Sequence, residues 1–343
     1  MKRLWLYSVR LYLKLGLFFY FRRIHVHDIE NVPKGKPVLL LSNHQNALLD
    51  ALLIATKIGR FSYFLTRAAV FKKSLVSNIL KSLQMLPVYR VRDGWNTIAN
   101  NNTIFETCTE LLKDEEALVI FPEGSHNLER RVRTLSKGFT RIVFNTLEKY
   151  PEVDLQLIPV GLNFANAKAC PDSAALYFGK PIVARSFLLE HRNEDIVNLK
   201  STVHHEISKL TTHVASENYE DAIEKLDTLN VNYLDPRSVN ECIENSFNSC
   251  HRLSKSRINW FRGVLKILLI LNLILPYLFW KMIVQPKIKE LEFTSTFRFA
   301  IAVTLVPIYL ITLVFILNAL ASLKIAIIYV ISVLLLALIT VKL

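Results

Sequence analysis

Apolar positions in the first half of the chain follow two periods, and the switch between them marks the elements. Short apolar runs bounded by turn residues lie at 37–41, 61–65, 85–89, 117–121, 155–162 and 174–178, with the length and make-up of buried strands. Between them the spacing is helical, over 47–57, 71–83, 95–113 and 135–149. Strands alternating with helices predict an α/β domain over 25–185, with ligands held at strand ends. From 186 to 262 the chain turns polar and helix-compatible, which predicts a helical extension without chemistry of its own.

The C-terminal part follows another pattern, with stretches at 264–280, 299–321 and 325–341 that carry few or no charges. The middle one has 23 uncharged residues, about 34 Å as a helix, enough to cross a hydrocarbon core of ~30 Å. With the third, at 17 residues, it predicts a transmembrane hairpin. The first contains Lys266, Asn272 and Pro276, so it is either re-entrant or spanning. A full crossing from a cytoplasmic domain puts Lys281, Lys287, Lys289 and Arg298 outside, against the positive-inside tendency, which favours the re-entrant path. At the other end, residues 1–24 are rich in Leu, Phe and Tyr, yet Arg3, Arg10 and Lys14 share one helical stripe with Tyr7. That pattern predicts a helix lying in the membrane interface. Charges within the stretch and the lack of a small-residue cleavage site argue against a signal peptide.

Composition refines this picture. The 343 residues are 51% hydrophobic with a formal charge of +13. Such a charge suits nucleic acid or anionic lipid, but the basic residues flank apolar segments and form no nucleic-acid motif, so membrane lipid is the expected partner and nucleic acid is not. Cys108, Cys170, Cys242 and Cys250 are dispersed and read as reduced thiols of a cytoplasmic domain.

Candidate chemistry sits where two strands end. The first runs into Ser42-Asn43-His44-Gln45-Asn46-Ala47-Leu48-Leu49-Asp50. Histidine, with an unperturbed pKa near ~6.5, is the usual general base for taking a proton from an alcohol, and a carboxylate on its far nitrogen fixes tautomer and orientation. Six positions along an unbroken helix separate two residues by about 9 Å and ~120°, too far for a hydrogen bond. The pair therefore requires His44 in the turn, with Asn46 as N-cap of a helix starting at Ala47 and Asp50 in its first turn. A histidine ending a strand and an aspartate balancing a helix dipole is the plain structural alternative. The second strand ends in Phe121-Pro122-Glu123-Gly124-Ser125-His126, a turn suited to a phosphate or to positioning a carboxylate. His126 reads as an accessory polar residue, since the sequence offers it no obvious aspartate. Arg90 and Arg92, after a third strand, suit bidentate phosphate binding. Leu157-Ile158-Pro159-Val160-Gly161 suits either an acyl site or ordinary core, and Lys137 and Arg141 follow the second turn with added positive charge.

In order and approximate spacing, these four blocks resemble the PlsC-like glycerolipid acyltransferase family, which acylates glycerol 3-phosphate, lysophosphatidic acid and related lysolipids. The likeness covers about 36–182 and ends in Phe178-Gly179-Lys180-Pro181-Ile182. It implies an acyltransferase domain with a mixed sheet flanked by helices, an acyl-CoA or acyl carrier protein donor, and neither metal nor cofactor. The acceptor it implies is a lysophospholipid or glycerol phosphate. It also implies that His44 is the base, Asp50 its orienter, Arg90 a phosphate contact, Glu123, Gly124 and Ser125 acceptor-site residues, and Pro159 a residue of the acyl or donor block. Asn43, Arg92 and Gly161 complete the expected substrate-binding set. Two departures bear on the acceptor: five residues rather than four separate His44 from Asp50, and Leu83-Gln84-Met85 stands where the family has a glycine. The longer spacing is similar to a subgroup with glycerol-3-phosphate and dihydroxyacetone-phosphate acyltransferases. The expected activity is acylation of lysophosphatidic acid at a membrane, with the catalytic domain on the cytoplasmic face of a bacterial inner membrane. A thioester hydrolase or a catalytically silent scaffold is the reading from another class.

Overall fold

The computed structural model describes residues 2–89, 101–189, 191–215, 217–253 and 259–343. The chain opens with α1 (Lys2–Tyr20) and β1 (Phe21–His27), followed by β2 (Val38–Ser42), α2 (Leu48–Lys57), β3 (Tyr63–Arg67), α3 (Ser74–Ser82) and β4 (Met85–Val88). Then come α4 (Asn101–Lys113), β5 (Ala117–Ile120), α5 (Gly138–Lys149), β6 (Gln156–Phe164), β7 (Asp172–Phe178), β8 (Ile182–Val183) and α6 (Arg192–Leu210). The N-terminal helix expected over 1–24 thus stops at Tyr20. From Arg23 to His27 the chain alternates Ile24 and Val26 with exposed charged or polar side chains, which is a strand period.

Among the described residues the strands form one mixed sheet in the order β1-β7-β6-β2-β5-β3-β4, with β8 also pairing β6. β2 runs parallel to both β5 and β6, whereas β7 and β8 run antiparallel to β6. Every side chain of β2, β5 and β6 is buried, as expected of strands covered on both faces. One face packs Leu40, Ile158 and Phe178 against Leu17 of α1 and Leu49 and Leu53 of α2. The other packs Leu39, Leu41 and Leu157 against Phe105, Phe139 and Phe144 of α4 and α5.

That second face also receives α6, which lies inside the expected polar extension. Its Leu199, Val203 and Ile207 recur every four residues and are fully buried, so the helix belongs to the domain even though its other faces are polar. Its last residue, Leu210, sits directly on Gly161: a Cβ built there is 2.1 Å from the Leu210 carbonyl oxygen. Beyond it, α7 (Tyr219–Leu229) and α8 (Pro236–Glu244) enclose a small core of Val214, Leu226, Tyr233 and Val239. Here Cys242 and Cys250 form a disulfide, contrary to the expectation of four reduced thiols; the chain folds back after α8 and brings their Cα atoms to 4.8 Å. Cys108 and Cys170 are free.

The apolar C-terminal part contains α9 (Asn259–Asn272), α10 (Ile274–Leu278), α11 (Thr294–Val303), α12 (Leu305–Leu320) and α13 (Leu323–Lys342). Two helices, Leu291–Leu320 and Leu323–Lys342, are long and apolar enough to span a membrane. The expected 299–321 span is part of a longer unit that breaks at Thr304, and its Phe299 is buried against Tyr20. α9 and the segment after it meet at 98°. The bend falls at Asn272, whose side-chain and backbone oxygens accept hydrogen bonds from Tyr329 (2.9 Å) and Tyr309 (3.2 Å). Those two hydroxyls supply hydrogen bonds that a helix broken in an apolar environment would otherwise lack.

Two predictions test this packing. Gly161→Ala places a methyl against immobile backbone and lowers stability by about 3 kcal/mol, read as a fall in thermal midpoint in detergent. Asp172, at the start of β7, accepts a hydrogen bond from the Asn166 N–H (2.8 Å), and its carboxyl is buried. Burial pushes its pKa up to about 6. The folded state therefore holds a proton that the unfolded state has released, so stability falls as pH rises from about 4 to about 6. Asp172→Asn removes that slope, which pH-dependent thermal unfolding will show.

Candidate active site

Parallel strands place two loops at one edge. Leu41 and Ile120 are in register on β2 and β5, so the chain leaves both strands side by side. Asn43 continues the ladder through its side chain, accepting from Leu162 N–H (2.8 Å) and donating to the Leu162 carbonyl (2.9 Å). It fixes the start of the turn, and His44 follows outside the sheet. The His44 carbonyl accepts from Asn127 N–H (3.0 Å), and the Gln45 side chain donates to the Glu129 carbonyl (3.1 Å). The first loop is thereby fastened to the chain following the second.

The helix after His44 begins at Leu48, one residue later than expected. Ala47 has φ 44° and ψ −121°, a conformation that L residues rarely adopt, and no side chain caps the helix at this N-cap position. The expected cap, Asn46, instead donates its side-chain amide to the Ala167 carbonyl (3.2 Å). Asp50 reaches back across the kink. Its Oδ2 accepts from Asn46 N–H (2.8 Å) and lies 2.7 Å from His44 Nδ1. The carboxylate is fully buried and His44 is 17% exposed. A carboxylate already accepting from a backbone amide leaves the ring nitrogen as donor, so Nδ1 carries the proton and Nε2 presents a lone pair. Phe121 stacks on the His44 ring with centroids 4.0 Å apart, holding the imidazole in that plane.

The second loop is built around Gly124, whose φ of +72° lies in the left-handed region that favours glycine, closing a turn from the Phe121 carbonyl to its own N–H. Glu123 is almost completely buried. Arg133, ten residues on, grips one of its oxygens with two guanidinium nitrogens, Nε at 2.7 Å and Nη2 at 2.6 Å. The same guanidinium donates to the Ser125 hydroxyl (2.8 Å) and to the Ser125 carbonyl. Burial raises the Glu123 pKa above its ordinary value, and Arg133 pulls in the opposite direction. The second carboxylate oxygen is buried without a partner among the described residues.

His126 stands edge-on to His44, with centroids 5.6 Å apart. The sequence offered it no nearby acid, yet the structure supplies Glu290, 164 residues away, with its carboxylate 3.1 Å from Nε2. Phe293 packs edge-on against the other side of the ring at 4.6 Å. Burial lowers the His126 pKa, with Glu290 opposing that shift. Donor atoms of His126, Glu290 and Glu292 lie within 4.8 Å of one another, a spacing a metal ion could use, but Glu290 is exposed and acidic groups gather at surfaces without an ion.

Of the residues expected at the site, His44, Asp50, Glu123, Gly124 and Ser125 converge at this edge, with Asn43 beneath them as a backbone anchor. Pro159 and Gly161 lie within β6. Pro159 lies mid-strand opposite Leu41 and under Gly179, and Gly161 lies under Leu210, so both serve the packing of β6. Arg90 and Arg92 fall outside the described residues. Lys137 is exposed beside Ser136, whose N–H donates to the Pro122 carbonyl (2.7 Å), whereas Arg141 lies one turn further along α5. Sequence reasoning missed Arg133, one of three arginines between 130 and 133, and Glu290. Only the charge-rich run Glu129-Arg130-Arg131-Val132-Arg133 beside an acidic turn hinted at the first.

Residues 23–163 match the family model described as Acyltransferase. A 127-residue stretch is 24% identical to the chloroplastic 1-acyl-sn-glycerol-3-phosphate acyltransferase LPAT1 of Arabidopsis thaliana, covering 37% of this chain and 34% of that one. Over 140 residues it is 27% identical to a probable 1-acyl-sn-glycerol-3-phosphate acyltransferase of Mycoplasma genitalium, covering 40% and 50% of the two chains. Over 97 residues it is 23% identical to glycerol-3-phosphate O-acyltransferase 1 of Saccharomyces cerevisiae, covering 28% and 13%. The matches thus span half or less of these relatives. A crystal structure of the 1-acyl-sn-glycerophosphate (LPA) acyltransferase PlsC from Thermotoga maritima aligns with a TM-score of 0.46 and 18% identity, over 63% of this chain and 83% of that one. The stretch that matches the Acyltransferase model holds most of the mixed sheet and both strand-end loops.

Arg133→Ala strands the buried Glu123 carboxylate and costs about 3 kcal/mol of stability. Arg133→Lys recovers little, because an ammonium cannot reproduce the fork, while Glu123→Gln in the Arg133→Ala background restores much of the loss. Chemical denaturation of the four proteins checks both.

Proposed function

We propose that the protein is a membrane-bound O-acyltransferase that transfers a fatty acyl group from a thioester to the free hydroxyl of lysophosphatidic acid, giving phosphatidic acid. The observation that carries this is the His44 Nδ1–Asp50 pair (2.7 Å) at a strand end of an Acyltransferase-family domain joined to two membrane-length helices. His44 Nε2 takes the proton of the acceptor hydroxyl as its oxygen attacks the thioester carbonyl. The tetrahedral intermediate collapses with cleavage of the C–S bond, and the thiolate leaves as a thiol with the proton that His44 returns. Asp50 stabilises the imidazolium between the two steps. Glu123, Gly124 and Ser125 line the acceptor side, and Arg90 or Arg92 clamps its phosphate. The donor is acyl-CoA or acyl carrier protein, and no metal or cofactor takes part.

Relatives named for 1-acyl-sn-glycerol-3-phosphate support the acceptor. The five-residue gap between His44 and Asp50 and the yeast glycerol-3-phosphate O-acyltransferase favour glycerol 3-phosphate as the second choice. The catalytic domain faces the cytoplasm of a bacterial inner membrane in this proposal. Supporting a re-entrant first segment, the chain leaves the α7–α8 lobe at Leu253, bends at Asn272 and returns to His126 at Glu290. A segment that crossed the bilayer once would emerge on the opposite side from His126.

His44→Ala lowers kcat by about 100-fold or more, and Asp50→Asn, which leaves the imidazole in the wrong tautomer, does comparable damage. Product mass spectrometry with purified protein, a panel of lysolipids and both donors checks this. Near-wild-type activity of His44→Ala would sink the base assignment, and thioester consumption without any acceptor would favour a hydrolase.

A further inference from the structure

The strand-end loops account for the pair His44 and Asp50, but three hydrogen bonds reach this edge from the far end of the chain. Glu290 meets His126 (3.1 Å). Thr296 Oγ1 accepts from Leu48 N–H (3.3 Å), an otherwise unmet donor in the first turn of the helix that carries Asp50. The Ser295 hydroxyl donates to the Ala167 carbonyl (2.6 Å), the same oxygen that receives the Asn46 side chain. Phe293 lies between these contacts against the His126 ring. Ser295 is 1% exposed, so the segment is seated in the domain. It also forms the start of the first membrane-length helix, Leu291–Leu320.

We propose that Glu290–Thr296 is a working part of the acyl-transfer site, with Glu290 a positioning residue for His126 and Thr296 a positioning residue for the kinked turn that presents Asp50 to His44. The membrane hairpin then does more than anchor the domain: its first turns complete the wall of the site beside His44. Because α2 has no side-chain cap of its own and starts from a strained Ala47, Thr296 is the group that holds its first N–H in place. His126 is likewise set by a carboxylate delivered with the hairpin. This proposal rests on His44-dependent acyl transfer.

The test uses the full chain in lipid nanodiscs, assayed for thiol release from acyl-CoA with lysophosphatidic acid. Glu290→Gln lowers kcat by about fivefold or more with little change in KM for the donor, and Glu290→Asp recovers part of it. The groups acting on His126 are Glu290 and Glu292 from the segment and His44 from the turn. Removing the Glu290 charge therefore lowers the His126 pKa further, and any pH–rate limb that His126 contributes moves to lower pH. Thr296→Val lowers kcat similarly, and Thr296→Ser restores it. His44→Ala serves as the reference. If it is inactive while Glu290→Gln and Thr296→Val keep wild-type kcat and pH profile, this proposal is overturned and the acyltransferase reading stands. If His44→Ala is fully active, that reading fails first. A lowered thermal midpoint with an unmoved pH profile and no recovery in the conservative variants marks a purely structural contact and also overturns it.

Discussion

A hydrogen bond between residues six apart cannot form along one helix, and the rest of the site follows from how this chain makes it. The helix is delayed to Leu48, Ala47 takes a strained backbone, and Asp50 folds back onto both Asn46 and His44. Strain of this kind costs on the order of 1–3 kcal/mol and persists only where the surroundings enforce it. Here they do so from three sides: Asn43 pinned to β6, the Gln45 side chain and the His44 backbone tied to 127–129, and the Leu48 amide held by Thr296. Alanine suits the kink because it has the smallest side chain to clash at positive φ.

The second loop answers the same demand with charge. A nearly buried carboxylate is tolerable when its guanidinium partner also grips the neighbouring backbone, and Arg133 does this for Glu123 and Ser125 together. The loop of Glu123 is therefore held through an ion pair, whereas the loop of His44 is held through hydrogen bonds to its backbone and to Asn43. The two meet through the stacking of Phe121 on His44.

Contacts close in sequence were legible before the structure. Six strands were placed within a residue or two because each is a short apolar run between turns, and helix geometry required His44 to lie in the turn if it was to pair with Asp50. What escaped was non-local or masked by composition. β1 hid because Arg22 and Arg23 follow a strongly helical segment, and α6 because only one residue in four along it is buried. Gly161 and Pro159 read equally as acyl site or core, and what packs on them, Leu210 and Gly179, comes from parts of the chain that no local pattern ties to β6. Glu290 and Thr296 lie in the charged connection between two apolar stretches, and no local pattern ties them to His126 or Leu48.

The pair of membrane-length helices is fastened to the domain at both ends. Glu290 holds one end at His126, and at the other the Lys342 ammonium donates to the Phe21 carbonyl (2.8 Å), where α1 gives way to β1. Apolar helices free at one end adjust to a thin or thick bilayer by tilting, at a cost of fractions of a kcal/mol per Å of mismatch. Helices clamped at both ends have less room to tilt, so part of the mismatch is passed to the clamps. One clamp sits beside the His44 imidazole, so in a bilayer the strain of a mismatch would fall next to that ring.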